Sequence, residues 1–450
     1  VSVDGSSGDV LSMTGNVTKT KSLTIASVVE MGLCAGCGTC VSMCPCEAIS
    51  IDVNANSGIY LPTIDSSKCS GCSLCYKVCP GASVNFKELS AGVVTEDSSK
   101  PDQILLGNYL NCYVGYSTDA NIRFDSSSGG IVTQLLVFLL EEGLIDGALV
   151  TRMRKDRPLE PEPFIARTSE ELMAASKSKY CPVAANVALK EILDRDGKYA
   201  VVGLPCHIHG LRKAQAVNKK LRERVVLSIG IFCSHSDSFF FRDYLLSHFG
   251  IDPDNVTGIS YRGKGWPGTL SVHLNNGKLQ EMPYLEYIKI HECGFFVPDR
   301  CLVCCDHVSE LADFSCGDAW LPEYSSDHVG TSLVISRSSK SEKLLQLDFV
   351  KNVLKLNQIS AIKVVRSQGN MRFKKNSYVI RSFLFRLIRR PVPYYNIDLP
   401  KARFIDLIRS LTIIVNKKLA SKELFRSDPE RLVVLQSKLK KLYMKAISTE

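Results

Sequence analysis

The sequence predicts an α/β body built on a mixed sheet, preceded by a small α+β module rich in cysteine and followed by a helical basic tail. Three observations lead there: two cysteine runs in register near the N-terminus, alternating strand-like and helix-like patterns through the middle, and a surplus of positive charge confined to the end. They divide the chain into a disordered polar N-terminus (1–29), a cysteine module (30–90), a body (103–345) and a mainly helical extension (346–450). With 450 residues, 45% hydrophobic and 22% charged, the chain can bury a sizeable core, which excludes the disordered and collagen-like classes.

The cysteine module comes first. Cys34-x-x-Cys37-x-x-Cys40-x-x-x-Cys44-Pro45 is followed by Cys69-x-x-Cys72-x-x-Cys75-x-x-x-Cys79-Pro80, every position offset by 35 residues, Gly36 and Gly71 included. Four thiolates hold a cubane iron–sulfur cluster. Three closely spaced ones wrap one side, and the fourth comes from elsewhere, in two-cluster ferredoxins from the other run. That rule assigns Cys34, Cys37, Cys40 and Cys79 to one cluster and Cys69, Cys72, Cys75 and Cys44 to the other. Zinc sites seldom use this spacing twice in register. The segment resembles a bacterial-type two-[4Fe-4S] ferredoxin domain, with Cys46 as a departure read as packing, and Asn54 to Gly58 as the turn of a hairpin.

In the body, Ser126-Ser127-Ser128-Gly129-Gly130 precedes an apolar helix from Ile131 to Glu142, with a strand near Ala148 to Thr151. Thr168 and Glu171 form a capping box. A helix at Ala184 to Asp194, a strand at Tyr199 to Leu204, a helix at Ile208 to Val217 and a strand at Val225 to Phe232 suggest parallel strands with helical crossovers. Thr269 to Leu274, Asn276-Gly277 and Lys278 to Tyr284 read as a hairpin added to that sheet. The serine–glycine turn at a helix start offers free N–H groups to a phosphate, or it merely caps and packs the helix. Gly263-x-Gly265-x-x-Gly268 matches the dinucleotide fingerprint by letter, but Pro267 and a strand-like run follow where a helix is required, so it is no Rossmann motif.

Cys301-x-x-Cys304 supplies two further ligands, and Cys206 and Cys233 lie just past two expected strands, where open α/β sheets place their sites. A metal site on these four is expected, an iron–sulfur cluster before zinc, with Cys305 a substitute ligand; the alternative is that these are simply buried thiols, as Cys112, Cys181, Cys293 and Cys316 read.

Five motifs then bring a family into view: Leu204-Pro205-Cys206-His207-Ile208, Ile229-Gly230-Ile231-Phe232-Cys233, Ser260-Tyr261-Arg262-Gly263-x-Gly265-Trp266-Pro267-Gly268, Cys301-x-x-Cys304 and Gly317-Asp318-Ala319-Trp320. Over about 30–340 the chain resembles the coenzyme F420 hydrogenase/dehydrogenase beta-subunit family, which includes 7-hydroxymethyl chlorophyll a reductase. The resemblance implies a flavin-binding body over 103–345 that holds FAD and its own cluster, a third [4Fe-4S], with Ser128, Gly129, Gly130, Lys179, Tyr180 and Asn186 contacting the flavin. Two departures stand out: His207 where the family more often has Gln, and residues 345–450 beyond its usual end.

Clusters exchange electrons singly and hydride carriers give two together, so a chain with both needs a flavin-like converter. The expected function is electron transfer between a deazaflavin, coenzyme F420, and a partner protein such as ferredoxin or a complex subunit, through FAD and the clusters. The alternatives are a ferredoxin-dependent reductase of another organic substrate and a non-catalytic wiring subunit. Arg262 and Lys264 are candidates to meet the coenzyme's anionic groups, or are solvated loop charges. His207, with His209, is a candidate proton donor or a hydrogen-bonded structural residue. Asp318 contacts the flavin or caps a turn.

Residues 361–450 carry 21 Lys/Arg against 6 Asp/Glu. Tyr378 to Arg390, Ala402 to Ala420 and Pro429 to Ile447 read as amphipathic helices that can touch a membrane periphery or an acidic partner, or that present a solvated face. Nucleic acid is not expected, because no reader module accompanies the charge. No run reaches the ~18 apolar residues of a membrane span. The first thirty residues lack a secretory pattern, and 18 cysteines then read as metal ligands in a reducing cytoplasm.

Overall fold

The computed structural model describes residues 23–91, 100 and 102–420. Residues 1–22 of the expected polar terminus and the expected helix at 429–447 lie outside them.

The cysteine module opens earlier than residue 30. A helix at Ile25–Glu30 buries Ile25 and Val28 in a small core with Cys40, Cys75 and Cys79. Strands β1 (Ile49–Asn54) and β2 (Ile59–Ile64) pair antiparallel in register Ile49↔Ile64. Their turn is the expected one: Asn54 Oδ1 accepts the N–H groups of Asn56 and Ser57, and Gly58 takes a φ of 63°. The module ends in the short strand β3 (Ser83–Asn85).

The body is an eight-stranded mixed sheet. It contains β4 (Asn111–Ser117), β5 (Gly147–Met153), β6 (Pro161–Ala166), β7 (Tyr199–Gly203) and β8 (Val225–Ile231). A separate three-stranded antiparallel sheet follows in sequence, formed by β9 (Val256–Ser260), β10 (Thr269–Leu274) and β11 (Leu279–Pro283). The chain then returns to the main sheet with β12 (Phe314–Asp318), β13 (Ser332–Ser336) and β14 (Leu354–Ile359). Spatial order is β14-β4-β13-β12-β8-β7-β5-β6. The central run β12, β8, β7 and β5 is parallel, and antiparallel strands flank it on both sides.

Alternation along the parallel strands explains why helices cover both faces. Ala148 and Val150 pack with Leu135 and Leu139 of the helix Ile131–Glu141 on one face. Leu149 packs with Leu189, Ile192 and Leu211 on the other.

Two expectations need correction. The hairpin over 269–284 does not join the main sheet, whose outer positions are held by β6 and β14. It pairs with β9 and buries Leu270 and Val272 in a second core with Phe241, Tyr261 and Tyr287. The body runs past residue 345, since β14 completes its sheet against β4. The described part of the extension is mainly helical and packs on the rest: a helix at Gly369–Leu387 and one at Phe404–Ala420 flank β15 (Tyr394–Asn396), which pairs parallel with β3 of the cysteine module. Moreover, the first of these helices turns Lys374, Lys375 and Arg381 inward, leaving Arg372 and Arg386 exposed. Lys375 and Arg381 are buried, whereas Phe383 and Leu387 are 66% and 70% exposed. Among the described residues no helix is long and apolar enough to cross a membrane.

The module docks on the helix Pro205–Val217, where a Cβ at Gly210 would lie 2.2 Å from Thr39 Oγ1 and 3.0 Å from Asn186 Nδ2. Alanine normally gains ~1 kcal/mol over glycine inside a helix. Here overpacking outweighs it, so Gly210→Ala should lose about 1–3 kcal/mol and expose the module to limited proteolysis. A thermal scan showing the usual helix gain instead would contradict this docking.

Candidate functional site

The cysteines fall into three groups. Cys34, Cys37 and Cys79 lie close enough to influence one another's charge, and Cys40 senses all three. Cys44, Cys69, Cys72 and Cys75 line one small internal space, where Cys46 also sits with its Sγ 3.4 Å from Ser70 Oγ. The crossing follows from the chain path, because each run's last cysteine is carried by a short helical turn, Thr39–Ser42 or Leu74–Lys77, toward the other run. Backbone N–H groups point at the sulfurs: Gly36 to Cys34 at 3.4 Å, Ala48 to Cys44 at 3.4 Å, Gly81 to Cys79 at 3.2 Å and Ile25 to Cys75 at 3.4 Å. Such donors favour thiolate over thiol. Burial acts the other way, pushing Cys34 up to about 12 and Cys79 to about 11, and raising Cys37 and Cys40. Buried sulfurs of this kind ionise when a metal centre supplies the positive charge, which is the environment a cluster needs.

The third group belongs to the body. Cys206 opens the helix Pro205–Val217 just past β7, Cys233 lies just past β8, and Cys301 and Cys304 bracket the end of the short helix Asp299–Leu302. Cys206 senses Cys233, Cys301 and Cys304, and it also senses Cys37 of the module. Burial raises Cys206 and Cys301 and pushes Cys233 up to about 12. Cys305 turns away into an apolar cluster with Val303, Leu311 and Tyr378. Cys112, Cys181 and Cys316 are buried and Cys293 half-buried.

The seam between module and body is polar and specific. Asn186 donates its N–H to Cys37 O at 2.9 Å, and its Nδ2 donates to Thr39 Oγ1 and His207 O, both at 2.8 Å. Lys213 Nζ donates to Cys79 O at 2.7 Å, and Arg300 donates to Pro80 O at 3.0 Å. Gly38 takes a φ of 84°, and a Cβ there would lie 2.7 Å from Val187 Cγ1 and 2.9 Å from Ala184 O, so the ligand loop approaches the body as only glycine allows.

A cavity of about 750 Å³ opens at the carboxyl ends of β7, β8 and β12, within the size range of cofactor sites. It brings together Ser128, Gly130, Lys179, Tyr180, His207 and Arg262 and reaches Cys233. Asn186 does not line it, being held in the seam, and Lys264 is an exposed partner of Glu281 at 2.7 Å. The serine–glycine turn has less free capacity than the sequence suggests. Gly129 donates its N–H to Ser332 Oγ at 2.8 Å, and Ser128 Oγ donates to Thr331 O at 2.8 Å. Gly129 lets β4 and β13 approach, since a Cβ would lie 2.5 Å from Gly115 O. Lys179 Nζ donates to the carbonyls of Ala175, Ser176 and Lys177, and burial pulls its ammonium down to about 7. His207 accepts the Leu204 N–H on Nδ1 at 3.1 Å, so its Nε2–H donates to Val183 O at 3.0 Å. Burial draws it down to about 4, so the neutral ring ties the strand end to its neighbour. His209 is likewise engaged, with Asp306 Oδ2 at 2.8 Å.

Several wall residues carry no motif of their own. His291 Nδ1 lies 2.5 Å from Asp237 Oδ2, and its ring stacks on His235 at 3.9 Å and 12°. One ligand atom from each of His235, Asp237 and His291 lies within 4.8 Å of the others, so the hydrogen-bonded trio behind this wall is also a candidate metal-binding set. His307 also lines the cavity, with Nδ1 buried and without a partner, a polar atom that a bound molecule could satisfy. These residues come from segments far apart in sequence, which leaves no spacing to read.

Arg262 is 2% exposed and meets Asp318 in a fork, 2.8 and 3.3 Å, while its guanidinium lies 4.4 Å from the Tyr284 ring centre. Trp266 Nε1 adds a bond to Asp318 at 3.1 Å. Asp318 is thus the counter-ion that keeps a buried arginine at the cavity wall. Asp318→Asn should cost about 3 kcal/mol or more, because a buried charge loses its partner, read as a lowered Tm in an anaerobic scan. An unchanged Tm would show Arg262 satisfied without it.

Comparison with known proteins places these features in one lineage. A family described as coenzyme F420 hydrogenase/dehydrogenase, beta subunit, matches residues 112–190 with its N-terminal part and 196–362 with its C-terminal part. A 4Fe-4S dicluster domain matches 33–82. Among relatives, the coenzyme F420 hydrogenase subunit beta of Methanothermobacter thermautotrophicus is 30% identical over 267 residues, 58% of this chain and 88% of the relative. A coenzyme F420-dependent sulfite reductase of Methanocaldococcus jannaschii is 28% identical over 368 residues, 77% of this chain and 50% of the relative. A chain of the F420-reducing [NiFe] hydrogenase complex from Methanosarcina barkeri shares the fold, with a TM-score of 0.51 at 24% identity, covering 67% of this chain and 99% of that one. With a 4Fe-4S module docked on the strand-end body, this chain belongs to the coenzyme F420 hydrogenase/dehydrogenase beta-subunit family of oxidoreductases.

Proposed function

We propose that the chain moves electrons between a reduced deazaflavin, coenzyme F420, and a partner protein, with FAD in the strand-end cavity and three [4Fe-4S] clusters in series. The observation that carries this reading is the position of Cys206, just past β7 with Cys233 just past the neighbouring β8, on the helix whose Gly210 meets Thr39 of the module's ligand loop. The order is then cavity, the Cys206/Cys233/Cys301/Cys304 cluster, the Cys34/Cys37/Cys40/Cys79 cluster, and the Cys44/Cys69/Cys72/Cys75 cluster outermost. Cys72 is exposed, which suits the outer cluster for exchange with a partner.

Bound FAD supplies the conversion between a hydride's electron pair and the single electrons that clusters carry. The chain's own residues do the rest. Lys179 and Arg262 stand at the cavity wall already engaged, Lys179 with three backbone carbonyls and Arg262 with Asp318, so they hold the shape of the wall against which the phosphates and carboxylates of flavin and deazaflavin cofactors would lie. Tyr180, Phe232 and Tyr284 give it apolar and aromatic surface. His207 holds the β7 end and the seam rather than donating a proton, and Lys264, outside the cavity, is paired with Glu281. A subunit that only wired electrons would need no such cavity. Exposed Phe383 and Leu387 beside Arg386, Arg389 and Arg390 support a peripheral contact with an anionic membrane surface.

Anaerobic purification should give about twelve irons and one FAD per chain, and reduced F420 should bleach the flavin in stopped flow. Cys206→Ala should leave about eight irons with the module's signals intact. Turnover with reduced ferredoxin and an organic substrate, without response to F420, would overturn the deazaflavin assignment. Eight irons in the unaltered protein would remove the body cluster.

A further inference from the structure

The helix Gly369–Leu387 begins beyond residue 362, where the family's C-terminal match ends, yet it is built against the third cysteine group. Lys374 is 7% exposed, and its Nζ donates to Cys233 O at 2.7 Å. No ion pair with a carboxylate is formed by Lys374 among the described residues. Around it stand the sulfurs of Cys233, Cys301 and Cys304 and the Asp306 carboxylate. Asp306 is itself engaged by His209, and the neighbouring Lys375 is paired with Glu310 at 2.7 Å. Arg381, one helical face along, donates to Leu302 O at 3.1 Å inside the Cys301–Cys304 loop. Arg300 is a second buried cation near this group, hydrogen-bonded to Pro80 O and set against the Tyr395 ring, and its charge stays constant in the variants below.

We infer that Lys374, supplied by the C-terminal extension, is a positioning residue for the body cluster: a fixed positive charge against its ligands that raises that cluster's reduction potential. This rests on the assignment of a cluster to Cys206, Cys233, Cys301 and Cys304. Net charge and hydrogen bonding around the sulfurs set cluster potentials. An added electron makes the cluster more negative, so a buried cation stabilises the reduced form more than the oxidised one, strongly so where water is excluded. The neighbouring clusters sit farther along the series and feel Lys374 less. The extension therefore makes the body cluster a better electron acceptor, favouring flow from the cavity inward.

The test is an EPR-monitored redox titration of the full-length protein prepared anaerobically. Lys374→Gln keeps a donor to the Cys233 carbonyl and removes the charge, and Lys374→Arg keeps the charge. In the Gln variant one cluster's midpoint should move to a more negative potential while the other two stay in place, and the Arg variant should remain near the unaltered value. An unshifted midpoint in the Gln variant with iron retained overturns the inference. Should the Gln variant lose its body cluster, the Arg variant decides: a negative shift there refutes the role of charge, and an unaltered midpoint upholds it. An unaltered protein with only the module's clusters refutes the cluster assignment, and this inference with it, before any variant is compared.

Discussion

The structure depends on one close approach: the ligand loop Cys37-Gly38-Thr39 against the turn 184–188 and the helix Pro205–Val217. Electron exchange demands proximity between cysteine groups, and proximity requires that no side chain intervene. Gly38 and Gly210 remove two that would. Asn186, fully buried, then satisfies Cys37 O, Thr39 Oγ1 and His207 O together, so a polar seam replaces the loose interface typical of linked domains. The same His207 carbonyl belongs to the residue next to Cys206, and one amide side chain thereby registers two cysteine groups.

The C-terminal extension reinforces that registration. β15 adds to β3, Asn396 Nδ2 donates to Asn85 Oδ1 at 3.0 Å, and Tyr395 packs with Val84, Phe86, Ile208 and Leu302. Module, body and the Cys301–Cys304 loop thus share one core. Turning Lys374, Lys375 and Arg381 of the helix Gly369–Leu387 inward, and Phe383 and Leu387 outward, is costly unless each buried cation finds a partner. Lys375 finds Glu310, Lys374 the Cys233 carbonyl and Arg381 the Leu302 carbonyl. All three tie the extension to the loops that carry cysteines or pack beneath them.

At the cavity, the glycine-rich loop 263–268 works through what it positions. It follows Arg262, brings Trp266 onto Asp318 and Trp320, and hands the chain to β10. Its letters match a phosphate-binding loop, but its structural work is to seat one arginine and one indole beside a strand end. The serine–glycine turn also differs from its letters, since interstrand packing consumes its N–H at Gly129. Both cases show local patterns yielding to tertiary hydrogen bonds.

The sequence alone determined the periodic and covalent features: the duplicated cysteine runs, the parallel strands around Tyr199 and Val225, the Asn54–Gly58 hairpin turn, and the pairing of Cys206 and Cys233 with strand ends. Each rests on spacing along the chain, which folding conserves. The tertiary structure decided which residues became partners across long separations. Among these are Asn186 with Thr39, Lys374 with Cys233, β15 with β3, β14 on the main sheet, the placement of the 269–284 hairpin, and Asp237 with His291. A buried cation or amide is set by the groups that fold around it, and no local spacing records which distant carbonyl or sulfur those will be.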